Sequence, residues 1–185
     1  MKKKYIITGP PGSGKSTLID ALQKRGYSCM QEVSRQVIAI EQEQGNNGTP
    51  WQDTERFSNL VFQSTQELLK INSYDFCDRS LLDNIAYLEF SNKSIPIELE
   101  SFPFEKHYSN TVFYTPPWEA IYTQDPQRPQ TFEEQLPLAE KLIEVYEKRG
   151  IDLVTLPLAS VEERVNFILN VIARHEAISY SKHLT

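Results

Sequence analysis

Residues 9–16 read Gly-Pro-Pro-Gly-Ser-Gly-Lys-Ser, the pattern G-x-x-x-x-G-K-[ST] that cradles phosphate groups. A short β-prone run, residues 4–8, precedes this stretch, and an amphipathic helical pattern follows it from residue 16 to residue 22. Glycines free the backbone for the steep turns between strand and helix and let it approach a ligand closely. Successive backbone N–H groups then converge on a phosphate chain at the positive end of the helix. The stretch therefore predicts a nucleoside triphosphate site at the first strand–helix junction.

Lys15 and Ser16 are the residues of this stretch whose side chains can contact the phosphates or the metal ion. The Lys15 ammonium can reach the β- and γ-phosphates, so we count it as catalytic, and the Ser16 hydroxyl can hold Mg²⁺. The implied cofactors are a nucleoside triphosphate and Mg²⁺. The guanine-reading pattern N-K-x-D has no match, because residues 92–95 read NKSI, and this favours ATP over GTP. The candidate nucleotide-binding residues are Gly9, Pro10, Pro11, Gly12, Ser13, Gly14, Lys15, Ser16 and Thr17.

The length and composition of the chain predict one globular domain. The 185 residues are 24% charged and 39% hydrophobic, which suits a single unit over residues 1–185. The net charge of −6 argues against nucleic acid as the main partner. No apolar run reaches transmembrane length, and the one behind the basic N-terminus is too short for a signal peptide, so we expect a cytoplasmic monomer or homodimer with no membrane partner. Cys29 and Cys77 fall in apolar segments and are expected to be buried, reduced thiols.

Apolar runs alternate with helical patterns along the chain, which predicts an α/β fold with a parallel sheet. The predicted strands cover residues 4–8, 27–30, 74–78, 111–115 and 152–156. After the first helix, the predicted helices cover residues 33–43, 53–71, 81–90, 133–149 and 160–174. Ligands of such sheets bind at the carboxyl ends of the strands, so the residues just after each strand are the first candidates for function.

The third predicted strand ends in Asp78-Arg79-Ser80, and this end should lie beside the phosphate loop. Asp78 could hold Mg²⁺, directly or through water, or accept a proton from an attacking hydroxyl. The Arg79 guanidinium could clamp a transferred or acceptor phosphate. The alternative is a strand-end acid that caps the next helix, beside a surface arginine. Asp83 is either a further substrate ligand or a first-turn carboxylate favoured by the helix dipole.

Glu32 and Arg35 follow the second predicted strand and should face the acceptor side of the cleft. Glu32 could hydrogen-bond a sugar hydroxyl or a base, and Arg35 could bind an acceptor phosphate. A capped, solvated helix start accounts for the same two residues equally well. Four aromatic residues are candidates for an acceptor pocket, although each also suits the core. They are Trp51, Phe57, Trp118 and Tyr122.

Residues 122–131 form a polar stretch with two prolines between the fourth strand and the next helix. Such stretches can act as mobile lids whose arginines close over the γ-phosphate and exclude water. Arg128 is the candidate lid arginine, and it joins Lys15, Asp78 and Arg79 as a catalytic candidate. The alternative is an ordinary loop arginine.

Five stretches of the chain together resemble a known family. They are residues 7–16, 32–35, 76–83, 116–119 and 122–128. In order and spacing they resemble the small P-loop proteins labelled AAA-type ATPases of the NadR-like kind and, more broadly, the nucleoside and nucleotide kinases. The resemblance implies a three-layer P-loop core with a parallel five-stranded sheet of order 2-3-1-4-5, ATP·Mg²⁺ as donor, and Arg128 in a lid.

Asp78-Arg79-Ser80 is similar to the acid-Arg-Ser triplet that ends the third strand of deoxynucleoside kinases, where the acid is the base. The acid here is Asp, which is shorter than the Glu found in many of them, and its role as base or magnesium ligand stays open. Ring-forming AAA+ motors carry a pair of adjacent acids at a strand end, and no such pair ends a predicted strand here. The leading interpretation is a small-molecule kinase that transfers the γ-phosphate of ATP to a nucleoside, a nucleotide or a related metabolite. The alternative is a regulatory ATPase or GTPase switch that acts through a partner protein.

Overall fold

The computed structural model describes residues 3–71, 73–124 and 131–182, with side chains up to residue 177. These residues form one parallel five-stranded sheet in the order β2-β3-β1-β4-β5, which confirms the predicted order. The strands are β1 (Lys4–Thr8), β2 (Cys29–Met30), β3 (Phe76–Asp78), β4 (Tyr108–Tyr114) and β5 (Asp152–Thr155). Because β1 is central, the loop that follows it lies in the middle of the sheet's carboxyl edge.

Helices flank the sheet on both faces. In the described residues they are α1 (Lys15–Lys24), α2 (Val33–Glu43), α3 (Thr54–Ile71), α4 (Leu81–Phe90), α5 (Ile97–Glu100), α6 (Phe104–His107), α7 (Leu136–Glu147) and α8 (Val161–Lys182). Two short 3₁₀ helices, Glu119–Ile121 and Glu133–Gln135, lie between β4 and α7. None of the helices described here is long and apolar enough to cross a membrane.

The structure corrects several element boundaries predicted from the sequence. Strand β4 begins at Tyr108 instead of residue 111, because Lys4 of β1 pairs with it. The pattern does not predict α5 and α6, since four residues are too few for helical periodicity. Helix α7 starts at Leu136 instead of residue 133, after a 3₁₀ turn, and α8 runs to Lys182 instead of residue 174.

Alternate residues of β1 face opposite sides of the sheet, and each side has its own core. Ile6 packs in the core that α2, α3, α4 and α7 cover, where Phe57 is buried. Ile7 packs in the core that α1 and α8 cover, together with Leu18 and Val165. The protein is therefore a three-layer α/β/α structure, as predicted.

Cys29 and Cys77 are free and buried, one in each core. Burial raises the pKa of each thiol to about 12, so both stay protonated at neutral pH. Their contribution is to packing, as the sequence predicts.

The carboxyl ends of β1, β3 and β4 meet at one edge of the sheet. Ile7 lies beside Asp78 in the β1–β3 register, and Thr8 lies beside Tyr114 in the β1–β4 register. The backbone N–H of Arg79 donates to the Ile7 oxygen (3.0 Å), so β3 delivers its polar end directly to the loop after β1. This is the edge at which parallel sheets bind ligands.

Candidate active site

The loop between β1 and α1 adopts a conformation that excludes a side chain at two positions. Gly9 has a φ of +147°, and a Cβ there would collide with the backbone oxygen of Thr115. Gly14, the residue before α1, has a φ of +84°, and a Cβ there would lie 2.9 Å from the guanidinium of Arg164. The turn at Gly14 leaves the N–H groups of the first turn of α1 available to an anion.

Lys15 lies folded into this loop. It is 4% exposed, and its Nζ donates to the backbone oxygens of Gly9 (2.9 Å) and Pro10 (2.7 Å). Burial and the neighbouring guanidinium of Arg79 lower the pKa of Lys15 to about 7, against the pull of nearby carboxylates. A triphosphate in the loop would supply negative charge next to this ammonium and raise its pKa again.

Asp78 and Ser16 form the candidate magnesium site. The Ser16 hydroxyl donates to Asp78 Oδ2 (3.3 Å), and Asp78 is 2% exposed. The second oxygen, Oδ1, is buried with no hydrogen-bond partner among the described residues. Burial and the negative charge of Glu32 raise the pKa of Asp78 to about 7, despite Lys15 and Arg79. A carboxylate with an unpaired buried oxygen next to a hydroxyl fits Mg²⁺, which prefers oxygen ligands.

Arg79 is buried, unlike the surface arginine of the alternative interpretation. It is 8% exposed and adopts a φ of +72°, a left-handed conformation that is uncommon outside glycine. Its Nε donates to Glu32 Oε1 (2.8 Å), and its Nη1 donates to the Gly9 oxygen (3.0 Å) and to Asp83 Oδ1 (3.0 Å). The guanidinium therefore links the ends of β1 and β2 to the start of α4.

Asp83 lies inside the same network. It accepts hydrogen bonds from Thr8 Oγ1 (2.6 Å), the Tyr146 hydroxyl (2.6 Å) and the backbone N–H of Ser80 (2.9 Å), as well as from Arg79. Together with Ser80 it forms the capping box of α4. Because donors of the chain itself occupy both of its oxygens, the structure supports the capping interpretation, and a role for Asp83 in substrate binding stays a prediction.

Glu32 lies just after β2 and is the ionised carboxylate of the site. Its Oε1 accepts from Arg79 and from Ser34 Oγ (2.7 Å), and its Oε2 accepts from Arg35 Nε (3.2 Å). Burial alone would raise the pKa of Glu32, but Arg79 and Lys15 outweigh burial and hold this pKa well below its usual range. The side chain of Arg35 is the more open partner of Glu32, with 41% of it exposed.

A cavity of about 630 Å³ joins these groups. The phosphate loop and the carboxylate–guanidinium cluster line one part of it, and an apolar part extends between α2, α3, α4 and α7. Three of the predicted aromatic candidates line the cavity, namely Trp51, Phe57 and Trp118. Tyr122 instead packs its ring against Phe132, with 5.6 Å between the ring centroids.

Arg164 of α8 belongs to the site, although the sequence analysis does not identify it. It is 2% exposed, its guanidinium lies over the Trp118 ring (5.6 Å to the centroid), and its Nη2 donates to the Ser13 oxygen (3.3 Å). Its Nε has no hydrogen-bond partner in the part of the chain that is described. The sequence does hold a signal, since position 164 falls on the apolar stripe of α8 with Val161 and Val165, where a charge needs a partner.

Gln135, in the 3₁₀ helix before α7, is a second residue that the sequence analysis misses. It is 3% exposed and lines the cavity. Both polar atoms of its side-chain amide are buried without partners among the described residues. A single polar residue in a short turn carries no periodic signal, so a sequence pattern does not single it out.

Arg128 lies outside the described residues, as do its neighbours from 125 to 130. On either side of them, residues 123, 124 and 131 are exposed. The lid over residues 122–131 therefore stays a prediction from the sequence.

The sequence matches a family model described as an AAA domain over residues 4–164. The chain belongs to this AAA-domain family. The match runs from β1 into α8 and so includes every side chain of the site described above. No curated protein matches the sequence.

The AAA-domain protein has the fold of small P-loop kinases. YorR from Bacillus subtilis, solved in complex with phosphorylated GDP, is 16% identical with a TM-score of 0.62, over 95% of this chain and 98% of that one. Thymidylate kinase from Candida albicans is 13% identical with a TM-score of 0.64, over 94% and 92%. Deoxyadenosine kinase from M. mycoides, solved with the products dCMP and dCDP, is 16% identical with a TM-score of 0.62, over 92% and 99%. At these identities the likeness shows a shared fold, which the sequence resemblance predicts.

Proposed function

We propose that this AAA-domain protein is a small-molecule kinase that transfers the γ-phosphoryl group of ATP to a hydroxyl group of a metabolite. One observation carries the proposal: the phosphate loop and the carboxylate–guanidinium cluster line one part of a cavity whose other part is an apolar pocket. About 630 Å³ leaves room for a small acceptor beside the terminal phosphates. An enzyme that only hydrolysed ATP would need no second pocket. We further expect the protein to act in the cytoplasm, where ATP and Mg²⁺ are available.

The donor half of the proposed site is the phosphate loop. Backbone N–H groups at the start of α1 and the ammonium of Lys15 would hold the β- and γ-phosphates. Ser16 and Asp78 would hold Mg²⁺, which neutralises charge on the transferred group when it is bound. The Trp118 ring and the Arg164 guanidinium, which pack together beside the loop, would receive the base of the nucleotide.

The acceptor half offers a carboxylate that can take a proton. Glu32 is ionised at neutral pH and lies on the acceptor side, so we propose that it orients the attacking hydroxyl and takes its proton late, when bonding to phosphorus has made that proton strongly acidic. Asp78 contacts the Ser16 hydroxyl and has an unpaired buried oxygen, so it suits the metal better. Arg79 would then hold Glu32 in place and balance charge near the transferred phosphoryl group.

In the proposed reaction, the acceptor oxygen forms a bond to the γ-phosphorus while the bond from that phosphorus to the bridging oxygen breaks. ADP leaves with the electron pair of the broken bond, and the hydroxyl proton passes to Glu32. The chain contributes positioning, charge neutralisation and exclusion of water, because a loose transition state needs little covalent help.

Product formation with a set of hydroxyl metabolites tests the proposal. The protein is incubated with ATP, Mg²⁺ and each candidate, and ADP and phosphorylated product are measured by mass spectrometry. We expect slow hydrolysis of ATP alone, equimolar ADP and product with the right acceptor, and neither with Lys15→Ala. Hydrolysis that no small molecule accelerates, but that a protein partner does, would indicate a regulatory ATPase and contradict the proposal.

A further inference from the structure

We infer that Ser13 is a positioning residue for Lys15: its hydroxyl donates to the Pro10 carbonyl, so the ammonium can release that carbonyl and contact the β- and γ-phosphates of a bound triphosphate. Arg79 acts in the same way at the Gly9 carbonyl. The inference rests on the donor half of the function proposed above and requires no acceptor. The hydrogen bonds of the loop between β1 and α1 carry it.

The loop engages the whole ammonium group of Lys15. Its Nζ lies 2.9 Å from the Gly9 oxygen and 2.7 Å from the Pro10 oxygen. The third neighbour is Ser13 Oγ, at 3.4 Å. An ammonium has three N–H donors, so these contacts use all of them. Contact with two phosphates leaves at most one donor for the loop, so Lys15 must give up at least one of the two carbonyls when a triphosphate binds.

A carbonyl that loses Lys15 needs another donor. Gly9 and Pro10 are buried, and a buried backbone oxygen without a hydrogen bond costs as much as a lost hydrogen bond. The phosphates themselves cannot serve, because their oxygens are acceptors. Movement of Lys15 towards a triphosphate is therefore favourable only if the chain supplies a second donor at each carbonyl.

Both carbonyls have such a second donor. Arg79 Nη1 donates to the Gly9 oxygen (3.0 Å), and Ser13 Oγ donates to the Pro10 oxygen (2.8 Å). Ser13 is 1% exposed, so its hydroxyl is confined to the loop. Lys15 can therefore leave either carbonyl without stranding it.

Thr115, the residue after β4, distinguishes this role from simple support of the loop. Its Oγ1 contacts Ser13 Oγ (2.6 Å) and donates to the Thr8 oxygen (3.0 Å), which also accepts the backbone N–H of Thr115 (2.8 Å). If Ser13 only tied the loop to β4, loss of either hydroxyl would have the same effect. As a donor to Pro10, Ser13 does not need the Thr115 hydroxyl, and the Thr8 oxygen keeps its backbone donor without it.

Binding of inorganic triphosphate to variants of the two hydroxyls tests the inference. Calorimetry with Mg²⁺ should show about 5- to 100-fold weaker binding by Ser13→Ala, the range for a stranded buried carbonyl, and an affinity within about 2-fold of the parent for Thr115→Val. Thr111→Val is the matched control, because Thr111 is a buried threonine of β4 whose hydroxyl contacts His175. A loss in Thr115→Val as large as that in Ser13→Ala, or no loss in Ser13→Ala, would overturn the inference.

The same substitution in a Lys15→Ala background tests whether Ser13 acts through Lys15. Without the ammonium, the Pro10 oxygen depends on Ser13 both before and after binding, so Ser13→Ala strands it in both states. The additional change in triphosphate affinity should then stay below about 2-fold. The backbone N–H groups of the loop remain in both variants, and NMR titration measures the weak binding that they support. A loss equal to that in the parent background would mean that Ser13 shapes the loop independently of Lys15.

The inference and the kinase function can fail separately. If the variants bind triphosphate as expected but the parent transfers phosphate to no acceptor, the kinase function fails and the inference stands. If the parent phosphorylates an acceptor and Ser13→Ala binds triphosphate as the parent does, the inference fails and the kinase function stands. Absence of triphosphate binding by the parent would remove both.

Discussion

Among single residues, Asp78 has a buried carboxyl group whose ionisation lowers the free energy of unfolding. The pKa of its buried carboxyl is raised to about 7, whereas an aspartate in an unfolded chain titrates near ~3.9. Between these values the folded state binds more protons than the unfolded state, so the free energy of unfolding falls as the pH rises from about 4 to about 7. The ionised carboxylate therefore destabilises the protein at neutral pH, where the proposed reaction requires it.

Asp78→Asn should be more stable than the parent at about pH 8, and the difference should shrink towards about pH 5, where the parent carboxyl is protonated. A gain of about 1 kcal/mol would raise Tm by about 2–4 °C in a domain of this size. Thermal unfolding followed by circular dichroism, without Mg²⁺, measures the effect. Asp20→Asn changes an exposed carboxylate of α1 and should show no such gain. An equal Tm difference at both pH values would contradict the raised pKa of Asp78.

Lys15 should make ATP binding weaken as the pH rises. Its pKa is lowered to about 7 in the free protein, and bound phosphates would raise it, so binding above about pH 7 must take up a proton. Calorimetry without Mg²⁺ from about pH 7.5 to 9, in buffers of different ionisation enthalpy, measures both affinity and proton uptake. Lys15→Arg carries a permanent charge and should show a much flatter dependence. The same slope in both proteins would assign the effect to another group.

Among secondary-structure elements, the sequence predicts best those segments in which several local signals indicate the same structure. The unit at residues 4–24 is predictable because its β-prone run, glycines and helical stripe all indicate the same structure. Strand β4 reaches back to Tyr108 only through its pairing with Lys4, a tertiary contact that a polar Tyr-Ser-Asn segment does not indicate. The sequence marks Arg164 as a charged residue on the apolar stripe of α8. Its partner Trp118 lies in a distant segment of the chain, so the sequence pattern does not predict their contact.

The packing of Trp118 against α8 predicts where the base of the nucleotide binds. Trp118→Ala should weaken ATP binding by about 5- to 100-fold, the range for loss of one base–aromatic stack, and leave the affinity for inorganic triphosphate unchanged. Trp51→Ala removes an aromatic ring that lines the cavity beyond α2 and should leave ATP affinity unchanged. Competition against a fluorescent ATP analogue gives these constants. Equal losses for ATP and triphosphate in Trp118→Ala would mean that the ring supports the loop and not the base.

In the molecule as a whole, one ion-pair cluster ties the carboxyl edge of the sheet together. Arg79, after β3, contacts Glu32 after β2, Gly9 after β1 and Asp83 at the start of α4. Because these contacts hold the guanidinium on several sides, they fix the ends of β1, β2 and β3 relative to one another, as the proposed phosphoryl transfer requires. The resemblance in sequence implied the family and the sheet order, and both are confirmed. Closure by a lid with Arg128 stays a prediction.

The pKa shifts of Asp78 and Glu32 predict how turnover depends on pH. Mg²⁺ needs the ionised form of Asp78, so kcat should fall as the pH drops below about 7, and more Mg²⁺ should move this decline to lower pH because metal and proton compete. The pKa of Glu32 lies well below its usual range, so Glu32 stays ionised throughout and adds no step.

Glu32→Gln should therefore lower kcat by about 10²-fold or more at every pH, the range for loss of a general base, without weakening ATP binding. It should also move the acid decline to lower pH, because the charge of Glu32 helps to raise the pKa of Asp78. Steady-state kinetics from about pH 5.5 to 8.5, at two Mg²⁺ concentrations, measure the amplitude and the position of the decline separately. Glu43→Gln, at an exposed position near the end of α2, controls for loss of one negative charge. If Glu32→Gln keeps the parent kcat while Asp78→Asn loses turnover at every Mg²⁺ concentration, the proton passes to Asp78, because a metal ligand would respond to added Mg²⁺ and a base would not.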